Sequence, residues 1–182
     1  MAEHFLAKTK ISLDRALEHG DGLALEAYPA LHEALRSRIG SEAASLFAEP
    51  LISRGNDSAV PTVSWYTGHD GPGQPLSRLD SAARSPVEAA LSRNLSAIAD
   101  LLDDPDVGSL VAAALHVPDA ADIWVVGGRP VILNWGLVAP GEGRDAASRK
   151  AQYDRSLGRF LPLAAPPPLT PTEREARAAR AA

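Results

Sequence analysis

The chain has 182 residues, a formal net charge of −5 and no cysteine. That length suits one globular unit with appendages, and the roughly 150 residues ahead of a Pro-rich tail can bury about two thirds of their unfolded surface. The acidic balance excludes a nucleic-acid footprint, which is basic and clustered; the missing cysteines exclude a disulfide framework and a thiolate metal site.

The first twenty residues, MAEHFLAKTKISLDRALEHG, lack the apolar core of a secretory signal. No run reaches the roughly 18 apolar residues of a membrane span, so the chain itself reads as soluble and by default cytoplasmic. A short helix is expected around Leu13–Leu17, with Gly20–Asp21–Gly22 as a breaker. Leu31, Leu35 and Ile39 then recur on one helical face, predicting a helix over 30–39 with Gly40 at its C-cap. Ser41 is positioned to cap a second helix over 41–48, with Ala44, Leu46 and Phe47 inward and Pro50 beyond it. SRGNDS (53–58) reads as a turn cluster, AVPTVSWY (59–66) as a strand and TGHDGPGQPLS (67–77) as a loop.

The clearest single element is SPVEAALSRNLSAIADLL, 85–102. Ser85, Pro86 and Glu88 fit N-cap, N1 and N3 of a capping box, and Val87, Leu91, Leu95, Ile98 and Leu102 form one apolar stripe. Asp106 can cap a following helix over 107–116, which turns Val107, Leu110, Val111, Ala114 and Leu115 inward and is stopped by Pro118.

DIWVVGGRPVILNWG, 122–136, carries Gly127-Gly128 between two β-rich runs. Both positions of a two-residue hairpin turn need positive φ, so this pair predicts a hairpin. In that register Val126 faces Arg129, Trp124 faces Val131 and Asp122 faces Leu133. One sheet face then holds Trp124, Val126, Val131, Leu133 and Trp135, the other Ile123, Val125, Pro130, Ile132 and Asn134. Both faces are apolar near the turn: either the second face is covered too, or it waits for a partner. A third strand pairs less readily beside Pro130, so the Trp65 strand is expected beside 121–126. The expected fold is α+β: a three-stranded antiparallel sheet (about 59–66, 121–126, 129–135) packed against helices at about 30–39, 41–48, 85–102 and 107–116. The tryptophans fit either the core of that sheet or a binding surface, and the candidate partner-binding set is Trp65, Trp124, Val125, Pro130, Ile132 and Trp135.

No catalytic, cofactor or metal motif emerges. The five histidines (His4, His19, His32, His69, His116) show no ligand spacing. His69-Asp70, in GHDGPG, is the only loop able to move a proton, and no nucleophile motif stands near it. The glycine-rich phosphate-binding patterns are absent. Asp103, Asp104 and Asp106 are interrupted by Pro105 and fit helix capping better than calcium. His116, closing a helix, fits a role at the C-terminal end of its dipole.

VSWYTG, the capped helix and AALHVPDAADIWVVGGRPVILNWGLVAPG together resemble the N-terminal region of SrfA-like proteins, the membrane members of the SrfABC virulence-factor gene cluster. The matching positions are Trp65-Tyr66, Pro118-Asp119, Ile123–Val126, Gly128–Ile132 and Trp135-Gly136, with Tyr28–Ile39 upstream. Gly127 and Ser64 stand where that pattern has Asp. The resemblance covers roughly residues 24–140 and implies a cytoplasmic region followed by a Pro-rich linker and a transmembrane helix.

The tail reads independently in the same sense. LPLAAPPPLTP (161–171) is linker-like, and Thr170, Pro171 and Glu173 open a polar helix with no apolar face. The expected division is a globular α+β unit over 1–150 and, over 151–182, a linker with a juxtamembrane-type helix, a membrane span following Ala182. The function expected from this set is a non-catalytic cytoplasmic domain of a single-pass membrane protein at the bacterial inner membrane, assembling with SrfB-like and SrfC-like proteins or with itself. The alternatives are a small enzyme using His69-Asp70 and a free-standing adaptor.

Overall fold

Gly127 and Gly128 turn the chain with φ of +57° and +78°, and the flanking strands pair as expected. Ile123 faces Ile132, Trp124 faces Val131, Val125 faces Pro130 and Val126 faces Arg129. The computed structural model describes residues 3–55 and 60–181. The strands are β1 (His4–Lys10), β2 (Glu18–His19), β3 (Gly22–Leu23), β4 (Glu49–Ser53), β5 (Thr62–Thr67), β6 (Gly73–Pro75), β7 (Ile123–Val126) and β8 (Arg129–Ile132). The helices are α1 (Tyr28–Arg38), α2 (Ser41–Ala44), α3 (Ser81–Ala99), α4 (Gly108–Ala114), α5 (Ala146–Arg155) and α6 (Pro171–Ala181).

The fold is α+β with antiparallel three-stranded sheets, but the strands are distributed differently from the expectation. One sheet has the order β1-β5-β4 and a second has β6-β7-β8. The Trp65 strand, β5, does not lie beside 121–126: it is paired on both sides, by β1 and β4. The third strand of the hairpin sheet is β6, from the segment expected to be a loop. It does lie on the β7 side, away from Pro130, whose missing N–H leaves that strand short of a donor. Gly73 permits the approach, since a Cβ there would sit 3.0 Å from Leu6 Cδ2 and 3.1 Å from Trp124 Cε3.

Residues 46–48 join the two sheets. Ala48 donates its N–H to Ile132 O at 2.9 Å, and Ile132 N–H donates to Leu46 O at 2.7 Å. Phe47 thus forms a parallel bridge to Ile132, and the chain runs on from there into β4. The expected helix over 41–48 is therefore one short turn, with Gly40 rather than Ser41 as its N-cap. Ala44, Leu46 and Phe47 are buried as expected. The turn expected over 53–58 lies partly outside the described residues.

α3 packs on β8 and buries the expected stripe of Val87, Leu91, Leu95 and Ile98. It begins earlier than expected, at Ser81, because Asp80 accepts the N–H of Ala83 at 2.8 Å. Pro86 therefore lies inside the helix, on its exposed side. α4 follows a loop held by Asp104, not Asp106, whose carboxylate accepts the N–H groups of Asp106 and Val107. In α1, Leu31 and Leu35 are buried but Ile39 is exposed, since the helix ends at Arg38 and Ile39 has left its face.

The expected division at 150 falls inside α5. Tyr153 and Leu157 belong to the single core cluster, and Leu161, Leu163 and Leu169 pack against it. Residues 161–170 therefore lie along the domain rather than standing off from it as a spacer. Tyr153 OH donates to Leu161 O at 2.6 Å. Arg149, 2% exposed, donates to Arg144 O and Pro167 O and pairs with Glu173. α6 carries the expected capping box, Glu173 N–H to Thr170 Oγ1 and Thr170 N–H back to Glu173 Oε2. No helix among the described residues is long and apolar enough to cross a membrane.

Candidate functional site

The residues singled out as a partner surface are mostly core. Trp65, Ile132 and Trp135 are 0% exposed, Val125 is 5% exposed and Pro130 is buried. Only Trp124 is partly exposed, beside Gly73 and Leu6. The second apolar face of the hairpin, Ile123, Val125, Pro130 and Ile132, is buried, and residues 46–48 pair along its β8 edge at Ile132. Trp135 is the hinge of this packing: its ring lies 5.8 Å from Phe47, 6.2 Å from Trp65 and 6.2 Å from Tyr28, all between centroids. Its indole N–H reaches Ala48 O at 2.9 Å, while Trp65 donates to Thr9 Oγ1 at 3.2 Å.

His69 and Asp70 are not brought together as an acid–base pair. Asp70 bonds His4 at 2.8 Å with its carboxylate 94% exposed. His69 is partly buried, and burial, together with the charge of Arg129, holds its imidazole below the usual histidine range. Its backbone N–H donates to Thr67 Oγ1. His116 sits, as expected, just past the C-terminal end of α4, and it is buried there. It is 2% exposed, with Nδ1 on Ala112 O at 2.7 Å and Nε2 3.3 Å from Arg149. Among the described residues, no three His, Asp or Glu side chains gather as a metal ion would require.

The surface that the sequence did not disclose is the outer face of the first sheet. Alternation along β5 sends Val63, Trp65 and Thr67 inward and Thr62, Ser64 and Tyr66 outward. Register then fixes three outward rows. Phe5, Tyr66 and Glu49 form the first; Lys8, Ser64 and Leu51 the second; Lys10, Thr62 and Ser53 the third. Phe5 is 55% exposed and Leu51 60% exposed. Phe5 meets Tyr66 edge-on with ring centroids 5.7 Å apart. Two of the chain's three lysines, Lys8 and Lys10, stand on this one face.

A cleft of about 390 Å³ continues this face past Tyr66 and Glu49 toward α1, where Tyr28, His32 and Glu33 form its far wall. Burial, with a further push from Glu49, raises the Tyr28 hydroxyl to about 12, so Tyr28 is a neutral donor at ordinary pH. The alternation in HFLAKTK was the one available clue to β1, and without it the outward rows could not be assembled. No family model, curated protein or solved structure matches the chain.

Proposed function

We propose that this chain is a non-catalytic protein-assembly domain that presents the outer face of the β1-β5-β4 sheet to a partner protein. The observation that carries the reading is the row structure of that face. Exposed Phe5 and Leu51 stand on either side of the half-buried Tyr66, with Lys8 and Lys10 on the same face of a sheet whose other face is core. Apolar clusters rimmed by charge favour protein contact over bulk water. The resemblance to SrfA-like proteins supplies the finer proposal: a cytoplasmic domain at the bacterial inner membrane, with SrfB-like and SrfC-like proteins or a second copy as partners.

The test is affinity capture with the full chain in its native host, comparing the wild type with a Phe5→Asp/Leu51→Asp double variant. Capture of a defined partner by the wild type and its loss from a variant of unchanged thermal midpoint supports the reading. Equal capture by both overturns it.

A further inference from the structure

β1 is an edge of its sheet: β5 is bonded along one side, and among the described residues no strand is bonded along the other. Just past its end, Ile11 donates its N–H to Pro61 O at 2.9 Å, on the β5 side. Backbone groups alternate in direction along a strand, so Thr9 and Ala7 also turn to β5, while Lys8 and Lys10 turn their N–H and C=O groups to the unbonded side. The side chains of the same two lysines are exposed on the outer face. Among the described residues no carboxylate holds either ammonium, whereas Lys150, the third lysine, is held by Asp154 at 2.6 Å. Ala7 and Thr9, between and beside them, are only half-buried, as inward residues are where a sheet lacks its next strand. The opposite edge offers less. On β4 it is Pro50 and Ile52 that face away from β5, and Pro50 has no N–H to give.

We propose that the Lys8–Lys10 edge takes an acidic, extended polypeptide as an added antiparallel strand, an inference that rests on the reading of this sheet as a partner surface. Each lysine supplies one backbone donor and one acceptor to the new strand. The partner residues opposite the two lysines stand on the outer face and carry carboxylates. The residue between them points inward beside Thr9 and is apolar. Opposite charges directly across a ladder stabilise it, and like charges weaken it. A second copy of β1 would set lysine against lysine. The two lysines therefore close this edge to self-pairing, as lysines on exposed edge strands do, and leave it open to a strand of acidic–apolar–acidic alternation.

The experiment titrates the full, isotope-labelled chain with three peptides, following backbone amide resonances and their exchange with deuterium. The peptides are acetyl-Gly-Glu-Val-Glu-Val-Gly-amide, its counterpart with lysine in place of glutamate, and the acidic peptide N-methylated at both glutamates. Saturable shifts and slowed exchange at Lys8 and Lys10, and not at Ile52, are expected with the first peptide alone. The N-methylated peptide keeps its charges but has no N–H for the edge, so it should not bind. Lys8→Gln/Lys10→Gln should weaken binding about tenfold, through loss of the cross-strand charge pairs, at an unchanged thermal midpoint. Lys8→Glu/Lys10→Glu should lose the acidic peptide and bind the lysine peptide, an exchange that misfolding would not produce. Leu51→Asp, two strands away on β4, should bind the acidic peptide as the wild type does, so a failure of the outer-face reading is seen separately. Absence of saturable shifts, equal binding of the lysine or the N-methylated peptide by the wild type, full binding by the glutamine variant, or loss of binding in Leu51→Asp overturns the proposal.

Discussion

Trp135 donates its indole N–H to the carbonyl of Ala48 at 2.9 Å, joining residues 87 apart in the chain. The bond is buried and lies where the first sheet meets the second. Replacing Trp135 with Phe removes the donor, leaves the Ala48 carbonyl unpaired and opens a cavity beside Phe47 and Trp65. The expected cost is about 2–4 kcal/mol. Trp65→Phe also opens a cavity but loses a longer, part-buried bond to Thr9, so it should cost less. Urea denaturation of the two variants checks the order, and a larger loss for Trp65→Phe would contradict it.

The two turn glycines should differ in tolerance. Both have positive φ, which costs any L-residue about 1–2 kcal/mol. At Gly127 a Cβ would also lie 2.6 Å from Asp70 O, whereas at Gly128 nothing lies within 4 Å. Gly127→Ala is therefore expected to lower the thermal midpoint further than Gly128→Ala, by calorimetry on the full chain.

His116 gives the fold an acid sensitivity. Burial pushes its pKa down to about 4, the Ala112 carbonyl opposes that shift and the Arg149 charge adds to it. The unfolded chain takes up this proton below about pH 6.5, the folded chain only near 4. Stability from this group is thus complete above about 6.5 and is lost as pH falls from there toward 4, by about 3 kcal/mol. His116→Gln should flatten that part of the stability–pH curve, measured as urea midpoints across the range. An unchanged slope in the variant would exclude His116 as its source.

Core and surface should separate cleanly by substitution with aspartate. Ile132→Asp places a charge at a 0% exposed position and should cost more than about 4 kcal/mol, unfolding the domain. Leu51→Asp, at 60% exposure, should change stability by no more than about 0.5 kcal/mol. Circular dichroism melts decide, and a folded Ile132→Asp variant would mean that the hairpin face is less covered than its burial shows.

Local chemistry made some of this fold readable and long-range choice hid the rest. Two adjacent glycines dictate a turn by themselves, so the hairpin and its register followed from Gly127-Gly128. Thr170 and Glu173 satisfy each other's backbone donors within one helical turn, and their capping box was equally plain. Which strand lies beside β7 was not local. Three residues around Gly73 take that edge because Gly73 fits against Trp124, while β5 finds β1 and β4. The start of α3 was misplaced because Pro86 imitates a first helical residue, although Asp80 caps the helix earlier. The doubly apolar hairpin suggested a binding face. Both of its faces are buried, and residues 46–48, expected to be helical, pair along its β8 edge at Ile132 instead. The outward rows of Phe5, Tyr66 and Leu51 depend on pairing β1 with β5 across more than fifty residues, which no short pattern announces.

The most direct measurement is site-specific photocrosslinking in the native host, with a photoreactive residue at position 51 of the full chain. Leu13, 40% exposed and outside the sheet, is the control position. A discrete crosslinked protein product from position 51, absent from position 13, is the predicted result. Products from position 13 alone, or the same products from both positions, would contradict the assignment of the outer sheet face as the interaction surface.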